Sequence, residues 1–173
     1  KGEPLQKLYR AYIKLAGGSP GIFAADAYYN SLRSKRESWG VHVNHFSSAG
    51  NVAGAGYSGF SDTQVNLYGK KFLRKHTLSG GLDYDMNKMH FYGFDTTDVV
   101  IAAMHDTITG RKATLQKFNT IGWSGRLLSH HKDSSALNYD VRLAYYNLQD
   151  NYQAMENNFT LSSDLTTYLP TSE

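Results

Sequence analysis

Between Tyr9 and Leu15 the odd positions are Tyr9, Ala11, Ile13 and Leu15, and the even ones are Arg10, Tyr12 and Lys14. Alternation with a period of two sends successive side chains to opposite sides of a strand, so one side here is apolar and the other charged. The pattern recurs down the chain. Phe23, Ala25, Ala27 and Tyr29 alternate with Asp26, Tyr28 and Asn30; Trp39, Val41 and Val43 with Gly40, His42 and Asn44; Val65 and Leu67 with Gln64, Asn66 and Tyr68. Further on, Leu78, Leu82, Tyr84 and Met86 oppose Asp83 and Asp85, while Ile121, Trp123 and Leu127 oppose Thr120, Ser124 and Arg126. Leu137, Tyr139, Val141, Leu143 and Tyr145 then oppose Asn138, Asp140, Arg142 and Tyr146, and Phe159, Leu161 and Leu165 oppose Asn158, Thr160, Ser162 and Asp164. The expected fold is all-β, with about eight antiparallel up-and-down strands in one domain.

Strands of roughly 9 to 11 residues match the length that crosses a bilayer at a barrel tilt. The connections point the same way. Those after the second, fourth and sixth strands are short and polar (residues 33–37, 73–76 and 130–134), whereas those after the third and fifth are long (47–61 and 94–112). Short turns on one side and long loops on the other are a habit of transmembrane barrels, and this parity puts both chain ends on the short-turn, periplasmic side. Residues 97–105 break the alternation and predict a short helix capped by Thr97 and stopped near Gly110.

Composition narrows the choice. Aromatics make up 13% of residues, with 13 Tyr and 16 Gly against only 3 Pro, a mixture that favours twisted strands over helices. No cysteine is present, which removes disulfides and thiolate metal sites. The net charge is only +3, and the basic residues cluster in short turns instead of forming a continuous stripe, so nucleic acid is not an expected partner. No apolar run approaches the roughly 18 to 20 residues of a membrane helix. Mean hydropathy of -0.49 does not exclude a barrel, whose apolar residues sit only at alternate positions.

A soluble sandwich or lipocalin-like ligand-binding barrel would also show one apolar and one polar face. Two features favour the membrane alternative: aromatics near strand ends (Tyr9, Phe23, Tyr29, Trp39, Tyr145 and Phe159) and a densely charged polar face. Expected lipid-facing residues are Ile13, Phe23, Val41, Val65, Leu82, Trp123, Val141, Leu143 and Leu161. Expected lumen-lining residues are Arg10, Lys14, Asp26, His42, Asn66, Asp83, Asp85, Arg126, Asp140 and Arg142; both signs occur, so no strong ion preference is expected.

Catalytic and metal chemistry finds little support. His42 and His45 are three apart in a strand and point to opposite faces, and His130-His131 reads as a solvated turn. Asp83 and Asp85 lie about 7 Å apart on one face, a spacing open to paired-carboxylate chemistry, but a charge network with Arg or Lys from neighbouring strands is the expected arrangement. Residues 95–98 do not make an EF-hand loop, and no phosphate loop, HExxH or nucleophile elbow occurs. The sequon at Asn158-Phe159-Thr160 falls inside an expected strand. No cofactor and no enzymatic activity are expected.

Tyr28-Tyr29-Asn30-Ser31-Leu32-Arg33-Ser34-Lys35, then Trp39-Gly40-Val41-His42, His45-Phe46-Ser47-Ser48, Gly56-Tyr57-Ser58-Gly59-Phe60-Ser61-Asp62 and Leu67-Tyr68-Gly69-Lys70 carry a more specific signal. This stretch, most of the first half, resembles the barrel region of outer-membrane proteins from Bacteroidota, of the TonB-dependent receptor-like or porin-like kind. The resemblance implies a place in the bacterial outer membrane, contact with its lipid and lipopolysaccharide, and solute passage or uptake, alone or with other subunits of an outer-membrane complex. A full receptor of that kind has a plug domain and a barrel of about 22 strands. Nothing plug-like, no leader-like start and no terminal aromatic occurs here, so an internal portion of a larger barrel is expected. The alternative is a closed eight-stranded barrel serving as an anchor, adhesin or accessory subunit.

Overall fold

The computed structural model describes residues 9–32, 34–50, 56–93, 110–131 and 137–167. Its elements are β1 (Ala11–Gly18), β2 (Ile22–Asn30), β3 (Glu37–Ser48), β4 (Phe60–Phe72), β5 (His76–His90), β6 (Leu115–Ser129), β7 (Asn138–Asp150) and β8 (Met155–Thr166). They form one antiparallel sheet in chain order, each strand beside its sequence neighbours. Every segment with the period-two pattern is a strand. The predicted helix at 97–105 lies outside the described residues.

Register turns eight local alternations into two continuous faces, because directly opposed residues share a side of the sheet. Ile13, Ala27, Val43, Val65, Tyr84 and Ile121 form one cross-strand row; Tyr12, Tyr28, His42, Asn66, Asp83 and Gly122 form its neighbour on the other face.

The connections are more varied than alternating short and long. Residues 31–36, 73–75 and 130–137 join strands at one end of the sheet, and the long connections 49–59 and 91–114 lie at the other. That second end also carries two tight turns. At 19–21 the Ser19-Pro20 peptide is cis and Gly21 holds a φ of 65°, where a side chain would be strained and would also meet Ala49 Cβ at 3.0 Å. At 151–154 the Asp150 carboxylate accepts the backbone N–H groups of Tyr152 and Ala154, each at 2.8 Å, and so closes the turn without glycine.

The sheet does not close. β1 pairs with β2 and β8 with β7, and both edge strands are exposed along their whole length. The closed eight-stranded alternative is thereby corrected: the register leaves the outer hydrogen-bonding row of β1 and that of β8 without a strand partner among the described residues. Nor does a second layer cover either face among the described residues. No hydrophobic residue among those described is buried; Leu82 stays 55% exposed, Ile121 58% and Leu161 62%.

The apolar band does not run square to the strands. Phe23 belongs to it in β2, yet the same cross-strand row continues as Ser47, Ser61, Lys88 and Lys117. At the opposite corner Tyr139 and Leu165 are apolar, while His76 and Ser129, next along their row, are polar. From β2 to β7 the band slides by roughly one residue per strand. With about 3.3 Å of rise per residue and about 4.8 Å between strands, that slope is a tilt of about 35°.

Candidate functional site

The register collects the sequence-predicted polar residues on one face. Lys14 opposes Asp26, His42 opposes Asn66, Asn66 opposes Asp83, Gln64 separates Asn44 from Asp85, and Arg126 opposes Arg142. Arg10 lies just before β1, its carbonyl accepting the Asn30 N–H at 2.7 Å. Ile13, Phe23, Val41, Val65, Leu82, Trp123, Val141, Leu143 and Leu161 all fall on the opposite face.

Two separate polar arrangements result. In the first, His42 Nε2 lies 2.8 Å from Asp26 Oδ1, and the imidazole stacks flat on Tyr28, with ring centres 4.0 Å apart. One strand further, Asn66 Nδ2 donates to Asp83 Oδ1 at 2.8 Å. Among the described residues the expected network of Asp83 and Asp85 with Arg or Lys does not form, because the register sets Asn66 and Gly122 beside Asp83, and Gln64 and Thr120 beside Asp85. The second arrangement holds the arginines instead. Asp140 accepts Arg126 Nε and Nη2, both at 2.7 Å, and also Arg142 Nε at 3.3 Å and Nη2 at 2.5 Å. One carboxylate thus ties two like charges from adjacent strands, offsetting the repulsion that directly opposed cations feel.

Two residues of this face, Tyr68 and Lys70, were not singled out from sequence as lumen-lining, although Tyr68 already fell among the polar alternates. Tyr68 lies across Gly40 and donates its hydroxyl to Asn30 Oδ1 at 2.6 Å; a Cβ on Gly40 would meet the phenol oxygen at 2.6 Å and the ring at 2.7 Å, besides colliding with Asn30. Lys70 shares a cross-strand row with Ser79, Arg126 and Arg142. A tyrosine whose neighbours in two strands are glycines, Gly40 and Gly81, is the signal that could have found Tyr68, but it needs the register first.

His45 points to the face opposite His42 and reaches Thr63 Oγ1 at 2.8 Å. His130 and His131 are anchored at the short-turn end: His130 Nε2 lies 2.8 Å from Thr77 Oγ1, and the His131 ring meets His76 edge to face. Among the described residues no group of three or more His, Asp or Glu side chains is placed to hold a metal.

At the opposite end the bases of the two long connections touch. Arg111 lies 4.0 Å over the Tyr57 ring, Tyr57 meets His90 edge to face at 4.7 Å, and His90 Nδ1 lies 3.2 Å from the buried Thr114 hydroxyl. Tyr57→Ala removes both ring contacts and is expected to cost about 1 kcal/mol, read as a lower denaturant midpoint with an unchanged slope.

Neither a family model nor a curated protein nor a solved structure matches this chain.

Proposed function

We propose that this chain forms part of the wall of a transmembrane β-barrel in the bacterial outer membrane, of the porin-like or TonB-dependent receptor-like kind. In this reading the apolar face meets lipid, and the polar face lines a route for solute passage or uptake without catalysis of its own. The observation that carries the proposal is the uncovered apolar band and its slope. Among the described residues no hydrophobic side chain is buried and no second layer supplies the core that a water-soluble sheet uses. A band inclined by about 35° to the cross-strand rows is what a level slab of hydrocarbon selects when strands tilt by the roughly 35–45° of membrane barrels. Unpaired backbone groups on β1 and β8 would each cost several kcal/mol in hydrocarbon, so the wall is completed by further strands.

Extraction from membranes tests this directly. The protein is expected to require detergent for release and to precipitate on detergent removal. Recovery as a monodisperse species in buffer alone would overturn the membrane assignment and restore the soluble binding sheet. In liposomes, the absence of conductance steps and of solute flux would remove the passage role and leave an anchoring or accessory wall.

A further inference from the structure

The two signs of charge on the polar face are segregated. Toward the short-turn end lie Arg10, Arg36, Lys70, Arg126 and Arg142, with Asp140 and Asp164; toward the long-connection end lie Asp26, Asp62, Asp83, Asp85, Asp150 and Glu156, with Lys14. At the boundary between the zones the face hollows into a recess of about 450 Å³. Its floor is made by small residues, Gly81, Ser124 and Ala144, which are cross-strand neighbours in β5, β6 and β7. Tyr68 and Lys70 stand on one flank, Arg126 and Arg142 on the other, and Asn66 with Asp83 closes the acidic end.

We infer that this recess binds a small hydroxylated anion, a sugar acid or sugar phosphate, with its charged group at Arg126, Arg142 and Lys70. The inference rests on the solute-route reading and names the class of solute. Three cations share one row and only one carboxylate engages the two arginines, so the cluster stays net positive. Asp140 takes Nε and Nη2 of each guanidinium, which fixes both planes and leaves Nη1 of each as a donor. The arginine side chains are 44% and 52% exposed, open to a ligand. At the other end the Asn66–Asp83 pair is acceptor-rich and suits hydroxyl groups, and it would repel a second anionic group. The Tyr68 ring offers an apolar wall to a sugar face. A volume in the usual range of small-molecule sites admits a single sugar ring.

Binding of gluconate, glucose 6-phosphate, glucose and glucosamine to the detergent-solubilised protein, measured by calorimetry, tests it. At least one of the two anions is expected to bind at least about tenfold more tightly than glucose, with glucosamine weaker still; gluconate against glucose 6-phosphate separates carboxylate from phosphate. Arg126→Gln and Arg142→Gln are each expected to weaken the anion about tenfold or more, as befits loss of a hydrogen bond to a charged group. Lys70→Gln, outside the Asp140 clamp, is expected to weaken it about threefold and keeps the test valid if an arginine variant fails to fold. Lys71→Gln, one residue on and facing the other way, is expected to change nothing. Equal binding of glucose and both anions, or anion binding indifferent to Lys70 and the arginines, would overturn the recess while leaving a detergent-dependent barrel intact. Anion binding by a protein that proves soluble without detergent would sink the wall and spare the recess.

Discussion

Leu82→Arg is expected to destabilise the protein in lipid vesicles by about 2 to 4 kcal/mol, the cost of arginine on a lipid face near the bilayer midplane. Leu82 sits mid-band between Leu67 and Trp123, and its neighbours along β5 on that face are Gly80 and Tyr84. A guanidinium there has no carboxylate opposite it. Gln64→Arg is the matched control, since Gln64 occupies the other face directly across from Asp85 and an arginine there gains a counter-charge. Denaturant unfolding of both variants in vesicles gives the comparison. Equal losses would mean that the two faces do not see different solvents. A small loss at both would return Leu82 to water.

Gly40→Ala has the next largest expected effect, a loss of about 1 to 3 kcal/mol from overpacking. The new methyl group lands on Asn30 and the Tyr68 phenol, so the ring must leave β3 and the Tyr68–Asn30 hydrogen bond breaks with it. Tyr68→Phe separates the two contributions, because it deletes the hydrogen bond and keeps the ring over Gly40. Its loss is expected near 1 kcal/mol. A Gly40→Ala variant as stable as the parent would show that Tyr68 moves aside freely, and the double variant with Tyr68→Ala would then bring no recovery.

Both face assignments were legible from sequence for a plain reason: a strand's side-chain period does not depend on which strand it meets. Val41 and His42 part company whatever lies beside them. Partners are another matter, because they depend on registers set by turns. Arg126, Asp140 and Arg142 stood out singly as polar positions, but that one carboxylate serves both arginines follows only when Arg126 faces Arg142. For the same reason Asp83 finds an amide where a cation was expected. The slope of the apolar band is likewise invisible strand by strand. Phe23 opens one apolar run and Tyr139 lies second in another, and only the pairing shows that they lie at opposite corners of one sheet. The turn at 151–154 escaped because an Asp-capped loop without glycine leaves a weak trace, whereas Gly17-Gly18-Ser19-Pro20-Gly21 carries an ordinary turn signal.

The strictly sequential strand order also governs how the sheet comes apart. Backbone pairing joins each strand only to the one before it and the one after it, and side chains reach one strand further at Tyr68–Asn30 and Tyr139–His76. Energies therefore accumulate link by link along a line, as they do in solenoid repeats, and no closing contact ties distant links together within the described sheet. A tip pulling on one terminus should peel the sheet away in successive steps, one hairpin at a time. Weakening Tyr68, which spans β3 to reach Asn30 in β2, would shift the rupture forces of the steps that free β2 and β3 and leave the β7–β8 step unchanged.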